Sequence, residues 1–454
     1  MHTQTFKGEY DLLALHQQNP ARYPFLLESV ATSPLSRYSL LFAFPQESIR
    51  LDDLAESSFC ERLDTAWRKE TPPNRPAAIR GASAPLSGEE QEMPFRGGWF
   101  LYLGYELVGQ LEPTLQLPDT PASLPIALAV RIPAAVIVDH LRTETIVVAE
   151  HEFAEAFAEI KTDMAATNVE TQNFASLQVQ IAEDLPEQFT AGVECIREYI
   201  AAGDVFQVNL SRAWRSDIQS EHSAADIYRL LRKTNPAPFA CLADFGEFAI
   251  ISSSPERLVR VQAGRVDTRP IAGTRPRGAD PERDQALLEE LIAHPKERAE
   301  HIMLIDLERN DLGRICEYGT VNVDELMVVE SYQHVHHIVS NIQGTLREGI
   351  TPGQIIRAVF PGGTITGCPK VRCMEIIAEL EQVGRGAYTG SVGYLNHNGD
   401  MDLNILIRTM TLQGKQLQFR TGAGIVMDSV APNELKETRH KARGLLRALG
   451  HDMG

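Results

Sequence analysis

The sequence lacks a long uninterrupted apolar run. Its most apolar stretch, Ile126 to Val138, contains Arg131 and Pro133 and falls short of the roughly 20 residues that a membrane-spanning helix needs. The N-terminus also lacks the apolar segment of a secretory signal. We therefore expect a protein without a membrane segment that works in the cytoplasm.

Positive charge is also scarce. The chain carries 43 Lys and Arg against 61 Asp and Glu, a formal net charge of -18. Proteins that bind nucleic acid neutralise phosphates with clustered Lys and Arg, so this composition argues against a nucleic-acid partner. An acidic protein also repels anionic substrates. Any anionic ligand therefore requires a metal ion or a few well placed cations.

Cysteine is sparse and unpatterned. The chain has 454 residues, of which 43% are hydrophobic, so its core is large enough to need no disulfides. Glycine and proline, at 32 and 26 residues, are near average usage, which excludes collagen-like and mainly disordered proteins. We expect a compact enzyme with reduced thiols. The six cysteines, none in C-x-x-C spacing, are Cys60, Cys195, Cys241, Cys316, Cys368 and Cys373.

Two polar stretches divide the chain. Thr71 to Pro94 is rich in Pro, Gly, Ser and Ala and predicts a surface loop. The second stretch is acidic and ends at Asp184, whose side chain we predict to cap a helix that ends at Gly203. The chain is therefore divided into an N-terminal region (1–150), an acidic linker (151–184) and a catalytic domain (185–454).

Strand and helix patterns are interleaved in the second half without a regular βαβ rhythm. A helical block runs from Pro281 to Arg314, and Asn398-Gly399 predicts a hairpin between strands at Tyr388–Leu395 and Met401–Thr411. This mixture favours an α+β fold over a doubly wound sheet. The other predicted strands are Val205–Leu210, Phe239–Phe245, Phe248–Ser253 and Leu258–Val261.

Two helical segments carry carboxylates on one face. Glu297 and Glu300 are three residues apart, and Glu434, Glu437 and Lys441 follow a spacing of three and four. Carboxylates brought together from two helices form a hard-oxygen site that suits Mg²⁺. The alternative is that both are ordinary solvated helix faces.

A glycine-rich stretch, 360–370, precedes a predicted helix at Val371–Glu381. Backbone amides at a helix start bind anions, and Lys370 lies in the first turn. The spacing matches neither the P-loop nor the dinucleotide motif. A purely structural turn remains the alternative.

Glu256 follows a predicted buried strand. Burial raises the pKa of a carboxyl and suits it to general acid catalysis, although an ion pair with a neighbouring arginine is the alternative. His336 and His337 suggest a metal site, but adjacent residues of a strand point to opposite faces. The sequence therefore argues against metal binding by this histidine pair.

Taken in order, seven segments resemble the chorismate-binding enzymes, which include anthranilate, aminodeoxychorismate, isochorismate and salicylate synthases. The resemblance implies an anthranilate-synthase-like α+β fold of two large antiparallel sheets with helices outside them, chorismate as substrate and Mg²⁺ as cofactor. The segments are GDVFQVNLSR (203–212), SSSPER (252–257), RPIAGTRPRG (269–278), KERAEHIMLIDLERNDLGR (296–314), FPGGTITGCPK (360–370), GAGIV (422–426) and ELKETRHK (434–441).

The resemblance also assigns roles to residues. Glu300 and Glu437 would bind Mg²⁺, which holds the ring carboxylate of chorismate, with Glu297 and Glu434 nearby. Glu256 would protonate the departing ring hydroxyl. The other implied pocket and substrate-binding residues are Thr274, His337, Gly273, Tyr388, Arg408, Gly422, Ala423, Gly424 and Lys441.

Two positions bear on the reaction. Gln207 stands where the water-using members carry a lysine, so the chain resembles the ammonia users. The motifs FPGGTITG, IDLERNDLGR and VHHIVS resemble the aminodeoxychorismate branch. Ala272 stands where many of that branch carry a nucleophilic lysine, which keeps the anthranilate branch as the alternative. No G-x-C-x-G glutaminase loop is present, so a separate glutamine amidotransferase subunit is expected to supply ammonia.

The segments LLES (26–29) and NPAPF (235–239) resemble the elements that hold feedback tryptophan in anthranilate synthases. Ser29 and Asn235, followed by Pro236, would form an amino-acid pocket. A structural role for these residues is the alternative.

Overall fold

The computed structural model describes residues 1–31, 36–70, 93–120, 124–166, 179–218, 222–278, 280–331 and 335–451. Most of the predicted loop from Thr71 to Pro94 lies outside these ranges. Within them the chain forms two large sheets in which every paired strand is antiparallel. This confirms the predicted α+β class and two-sheet architecture.

The first sheet has twelve strands. Strands from the N-terminal 150 residues occupy one side, and strands from the second half occupy the other. In spatial order they are β1 (His2–Lys7), β8 (Glu144–Ala149), β7 (Ala134–Asp139), β3 (Tyr38–Ala43), β2 (Phe25–Glu28), β11 (Phe239–Asp244), β12 (Ala249–Ser254), β21 (Thr409–Gln413), β22 (Gln416–Ile425), β10 (Gln207–Asp217) and β18 (Gly367–Cys368), with β9 (Ile181–Glu183) also paired to β10.

The second sheet has ten strands and again mixes the two halves of the chain. The predicted division at 150 and 185 therefore does not separate two sheets. In order the strands are β15 (Ile271–Pro276), β17 (Val335–Thr345), β14 (Arg265–Thr268), β13 (Arg257–Gln262), β20 (Met401–Asn404), β19 (Ser391–Asn396), β5 (Gly98–Leu103), β6 (Ala127–Ile132) and β4 (Ser48–Leu51), with β16 (Asn322–Ser331) also paired to β17.

Helices cover the outer faces of both sheets. The helices are α1 (Leu12–Gln18), α2 (Phe59–Glu70), α3 (Val108–Leu111), α4 (Ala154–Ala166), α5 (Pro186–Ala202), α6 (Ala224–Thr234), α7 (Pro281–Ala293), α8 (Pro295–Gly313), α9 (Pro352–Val359), α10 (Lys370–Glu381) and α11 (Ala431–Ala448). Apolar residues of α1, α4, α6 and α11 pack on the first sheet, and those of α2, α8 and α9 pack on the second.

Alternate residues of the facing strands fill the space between the sheets. Side chains of a strand point in turn to its two faces. In β5, Phe100 and Tyr102 belong to the core between the sheets, whereas Leu101 and Leu103 pack under the helices of the second sheet. Phe25 of the first sheet stacks on Phe100, with 4.1 Å between the ring centroids. Both faces of the central strands are therefore buried.

The most apolar stretch of the sequence forms two strands, one in each sheet. All residues of β6 and β7 are buried, and Pro133 lies between the two strands. Burial on both faces explains the near-continuous apolar run. In the part of the chain that the structure describes, no helix is long and apolar enough to cross a membrane.

Three local predictions were wrong in detail. Asp184 does not cap α5, because its carboxylate accepts the Ala213 amide and pairs with Arg215 of the neighbouring strand. The described residues of the segment 151–184, which was predicted as a linker, include α4 and β9. The predicted strand Met401–Thr411 is two strands, because the chain crosses from the second sheet to the first at 405–408.

Candidate active site

Gln207, Glu300 and Gly424 meet at one end of the β10–β22 pair. Gln207 begins β10, and its Nε2 donates to Oε1 of Glu300 on α8 at 2.8 Å. A Cβ on Gly424 of β22 would collide with Gln207 Nε2 and would lie 3.7 Å from Glu300 Oε1. A side chain at position 424 would therefore have to displace the Gln207 amide, because the strand backbone closely approaches this amide and the Glu300 carboxylate.

Lys441, Glu437 and Tyr388 lie around Gly422, two residues earlier on β22. Lys441 Nζ donates to the Gly422 carbonyl oxygen at 3.0 Å and pairs with Glu437 Oε1 at 2.8 Å. The hydroxyl oxygen of Tyr388 would lie 2.8 Å from a Cβ on Gly422. The short stretch from Gly422 to Gly424 thus brings two helix carboxylates, a lysine and a tyrosine to one region.

Glu300 and Glu437 are the two carboxylates here that could take part in binding Mg²⁺. Mg²⁺ is commonly held by one or two carboxylates and completes its shell with water and substrate oxygens. Glu300 and Glu437 lie at the same stretch of β22, and no cluster of three or more His, Cys, Asp or Glu forms a closed metal site among the described residues. Glu297 pairs with Arg275 at 3.1 Å, and Glu434 lies in the first turn of α11.

Glu256 lies between β12 and β13 and is 5% exposed. Burial raises the pKa of its carboxyl to about 7. The Thr364 hydroxyl, the Ile271 amide and the Arg408 charge counteract this shift, while the negative charge of Glu308 adds to it. Its Oε1 is buried and has no hydrogen-bond partner among the described residues. A carboxyl with a near-neutral pKa is suited to donate a proton at neutral pH.

His337 and His336 point to opposite faces of β17, as predicted. His336 contacts Ser331 and Asp284, at 2.7 and 2.9 Å. Burial, together with the positive charge of Arg408, lowers the pKa of His337 to about 3. His337 is therefore neutral at physiological pH.

The strand beside His337 supplies Ala272 and Gly273. Ala272 is buried and pairs with Ile338 of β17, and Gly273 adopts a φ of 67° at an irregularity in the pairing. The main chain of Thr274 pairs with His337, but its side chain lies outside the described part of the structure. The methyl group of Ala272 offers no nucleophile at this position.

The structure does not support an anion site at Lys370. Its Nζ forms an ion pair with Asp311 Oδ2 at 2.6 Å, so its charge is already engaged. Sequence reasoning missed Glu308 and Asp311, which are buried, and Thr364, whose hydroxyl oxygen is buried. Glu308 and Thr364 act on the Glu256 carboxyl, and Asp311 acts on Glu308. Glu308 and Asp311 lie in the quoted IDLERNDLGR segment, where acidic residues look like a solvated helix face.

A cavity of about 330 Å³ lies beside Ser29, away from the residues above. Ser29 lines it and donates its hydroxyl to the Pro238 carbonyl at 3.2 Å, and Phe239 lines it as well. Neither Asn235 nor Pro236 lines this cavity, and Asn235 Nδ2 donates to the Ser253 hydroxyl oxygen at 2.6 Å. Amino-acid binding there stays a prediction.

The chain is similar in sequence to a known enzyme family. The family model described as chorismate binding enzyme matches residues 14–447. Aminodeoxychorismate synthase component 1 of Bacillus subtilis is 54% identical over 261 residues, which cover 58% of this chain and 55% of that protein. Anthranilate synthase component 1 of Thermus thermophilus is 41% identical over 431 residues, which cover 94% of this chain and 92% of that protein.

A solved structure supports the same family assignment. The crystal structure of anthranilate synthase component I from Streptococcus pneumoniae matches with a TM-score of 0.78 and 32% identity, covering 91% of this chain and 93% of that one. The family match spans most of the residues and includes every site residue above. The chain therefore belongs to the chorismate-binding enzymes, as a chorismate-utilising member of the anthranilate and aminodeoxychorismate synthase family.

Proposed function

We propose that this chain is component I of an aminodeoxychorismate synthase, which converts chorismate and ammonia to 4-amino-4-deoxychorismate for p-aminobenzoate and folate synthesis. The observation that carries amination is Gln207, whose amide donates to Glu300. A side-chain amide has no basic nitrogen and cannot deprotonate water. Ammonia carries a free lone pair and needs no such base, so this site suits ammonia as the nucleophile.

The aminodeoxychorismate branch is supported by sequence likeness over 58% of the chain. Identity to the Bacillus subtilis aminodeoxychorismate synthase component 1 reaches 54% over 261 residues, against 41% over 431 residues for the Thermus thermophilus anthranilate synthase. The motifs FPGGTITG and IDLERNDLGR agree with the same branch.

Chorismate is an anion, and this acidic chain meets it with local positive groups and hydrogen-bond donors. We infer that Arg408, Lys441, the Tyr388 hydroxyl and the amides of Gly422, Ala423 and Gly424 receive its carboxylates. Glu300 and Glu437 would hold Mg²⁺, which when bound supplies positive charge to the ring carboxylate. His337, neutral by burial, and Thr274 would line the same pocket.

Glu256 would donate its proton to the departing ring hydroxyl, which then leaves as water. The ammonia nitrogen forms the new carbon–nitrogen bond and releases one proton, so charge balances over the cycle. Only the protonated carboxyl can do this, and its pKa of about 7 keeps that form populated at neutral pH.

Anthranilate synthesis is the second candidate, and Ala272 is the observation that favours it. With alanine there, no lysine adduct with the ring can form at this position. Either the ring hydroxyl is replaced without an enzyme-bound adduct, or ammonia adds at C2 as in anthranilate formation. The Thermus thermophilus anthranilate synthase also matches 94% of this chain.

We propose that ammonia comes from a partner protein. The relatives are named component 1, which implies a second component, and this chain has no G-x-C-x-G glutaminase loop. A glutamine amidotransferase subunit fits both facts. Free ammonium would replace it in vitro.

The product distinguishes the two candidates. The purified chain is incubated with chorismate, Mg²⁺ and ammonium at alkaline pH, with and without an added aminodeoxychorismate lyase, and products are identified by mass and fluorescence. We expect p-aminobenzoate only when the lyase is present. Anthranilate formed without the lyase would replace the proposal with the second candidate.

Changing Glu300 or Glu437 to Gln should abolish Mg²⁺-dependent turnover while the fold is kept. Each change removes one of two carboxylates, and a metal acting on a carboxylate is worth several kcal/mol, so turnover should fall by about 100-fold or more. Turnover is titrated against Mg²⁺, with Asp306→Asn on the same helix α8, 63% exposed, as the control. If Glu300→Gln and Glu437→Gln kept the Mg²⁺ dependence of the wild type, the assignment of these residues as metal ligands would be wrong.

A further inference from the structure

Glu106 is a buried carboxyl of the N-terminal region that reaches the candidate active site. The residues assigned to that site all lie in the second half of the chain, between Gln207 and Lys441. Glu106 is 2% exposed and lies in the short helical turn Tyr105–Leu107. Burying a carboxyl group is costly unless it is hydrogen-bonded. The hydrogen-bond partners of Glu106 therefore show which part of the molecule it holds in place.

The partners of the Glu106 carboxyl are main-chain amides of residues 385–390, a segment that follows α10 and is called the Arg385 turn below. Oε1 of Glu106 accepts from the Arg385 amide at 2.6 Å, and Oε2 accepts from the Gly386 amide at 3.1 Å. The amide of the neighbouring Tyr105 donates to the Gly386 carbonyl oxygen at 2.8 Å. The N-terminal region therefore fixes the main chain at the start of the Arg385 turn.

The conformation of the Arg385 turn requires such support. Gly386 and Thr389 both take left-handed conformations, with φ of 58° and 64°, and a threonine rarely adopts one unless its surroundings hold it there. The Thr389 amide donates to the Leu406 carbonyl oxygen at 2.8 Å, which holds the far end of the turn. The main chain on both sides of Tyr388 is therefore fixed by hydrogen bonds to other segments.

The Arg385 side chain connects this turn to the strand that begins with Gln207. The side chain is 1% exposed, and its guanidinium donates to the carbonyl oxygens of Asn209 on β10 at 2.7 Å and of Ile365 at 3.2 Å. The same group lies over the Tyr388 ring, 5.5 Å from its centroid, a distance at which a cation and an aromatic ring attract each other. Arg385 therefore fixes the Tyr388 ring relative to β10.

The group that this arrangement orients is the Tyr388 hydroxyl. Its oxygen would lie 2.8 Å from a Cβ on Gly422, at the stretch of β22 proposed to receive the carboxylates of chorismate. We propose that Glu106 is a positioning residue for chorismate, because it holds the Arg385 turn so that the Tyr388 hydroxyl faces this stretch and donates to a substrate carboxylate. The inference rests on the proposed role of Tyr388 in chorismate binding. The N-terminal region then contributes to substrate binding as well as to the two sheets.

A double-mutant cycle between Glu106→Gln and Tyr388→Phe tests this coupling. The Kd of chorismate is measured by calorimetry with Mg²⁺ at about pH 8.5, where Glu106 is ionised, because burial raises its pKa to about 7 against the hydrogen bonds from the main-chain amides. Tyr388→Phe removes a donor to a charged group and should raise Kd by about tenfold or more. Glu106→Gln keeps the size of the side chain but turns an NH₂ group toward one of the two amides, so Kd should rise by about threefold to tenfold.

The double variant distinguishes positioning from a general structural role. If Glu106 acts through Tyr388, adding Glu106→Gln to Tyr388→Phe should raise Kd by less than about twofold, since the hydroxyl that it positions is already absent. The kcat of Glu106→Gln should stay within about twofold of the wild type while KM rises, because Glu106 does not touch the reacting atoms. Fully multiplicative effects on Kd in the double variant, or a wild-type Kd in Glu106→Gln, would overturn the proposal.

The matched control is Asp64→Asn. Asp64 is also a buried carboxyl of the N-terminal region, and it accepts from the Thr351 hydroxyl at 2.6 Å and from the Gly353 amide at 2.8 Å, where α9 begins. Its change should lower the free energy of unfolding and leave the Kd of chorismate as in the wild type. If Asp64→Asn raised Kd as much as Glu106→Gln does, the effect of Glu106 would be one of stability and the positioning role would be wrong.

Binding and product identity separate this inference from the function proposed above. If Tyr388→Phe keeps the wild-type Kd, Tyr388 receives no carboxylate and the positioning role of Glu106 is wrong, whatever the product. If the lyase-coupled assay yields anthranilate, the aminodeoxychorismate proposal is wrong. The coupling between Glu106 and Tyr388 is then still decided by the Kd values, because they are measured without turnover.

Discussion

Glu256→Gln is expected to bind chorismate with nearly wild-type affinity and to turn over about 10² to 10⁴ times more slowly. Glutamine has the same size, so the buried position stays filled, but its amide is far too weak an acid to protonate a departing hydroxyl. Affinity is measured by calorimetry with Mg²⁺ present, and kcat is measured with saturating ammonium. Near-normal turnover would remove Glu256 as the acid.

The pH dependence of the wild type follows from the same carboxyl. Because the acid form is the active one and the pKa of Glu256 is raised to about 7, kcat at constant free ammonia should fall as pH rises through about 7. The residual activity of Glu256→Gln should lack that limb. Glu289→Gln, an exposed change on α7, should keep it, and a wild-type profile flat from pH 6 to 9 would contradict the assignment.

Two features of the sequence predict parts of the site: the apolar patterns that indicate strands, and the order of the motifs along the chain. The run Phe248–Ser253 was predicted as a buried strand, and Glu256 follows it after β12, where its carboxyl is buried. The resemblance placed Gln207 where the water-using members carry a lysine, and in the structure it contacts Glu300 across 93 positions of sequence. Local sequence patterns predict which helix or strand carries each residue. That Gln207 and Glu300 belong to one active site was implied only by the resemblance to the chorismate-binding enzymes.

The missed features depend on contacts that no local pattern encodes. The run Met401–Thr411 looks like one strand, but the chain changes sheets inside it, and Arg408 takes a φ of 52° at that crossing. Asp184 has the residue type of a helix cap, yet Arg215 and the Ala213 amide of β10 attract its carboxylate. Glu308 and Asp311 look solvated in sequence, but both are buried: Glu308 lies against Gly363 and Thr268, and Asp311 pairs with Lys370.

Glu381→Ala should lower the free energy of unfolding by about 3 to 5 kcal/mol. The Glu381 side chain is 1% exposed and accepts from Arg385 at 2.6 Å, from Arg420 at 2.8 Å and from both the amide and hydroxyl of Ser211 at 2.8 Å. Removing it leaves two buried guanidinium groups without their counter-charge. Urea unfolding followed by tryptophan fluorescence measures the loss.

The matched control is Glu375→Ala on the same helix, α10. Its carboxylate pairs with Arg372 in solvent, both side chains being about 40% exposed, so the loss should stay below about 1 kcal/mol. If both variants lost the same free energy of unfolding, burial of the Glu381 ion pairs would add nothing to their contribution to stability. Glu381→Gln, which keeps one acceptor, should fall between them.

The pH dependence of the free energy of unfolding provides an independent test of the ion pairs that Glu381 forms with Arg385 and Arg420. Burial alone would raise the pKa of Glu381, but Arg385 and Arg420 outweigh it and hold the pKa below its usual value of 4.5. A carboxyl with a lowered pKa stabilises the fold above its unfolded-state pKa and loses that contribution as pH falls through the folded one. The difference in the free energy of unfolding between wild type and Glu381→Ala should therefore be constant above about pH 5 and shrink in stronger acid. A difference that grows as pH falls would show that Arg385 and Arg420 do not stabilise the ionised form of Glu381.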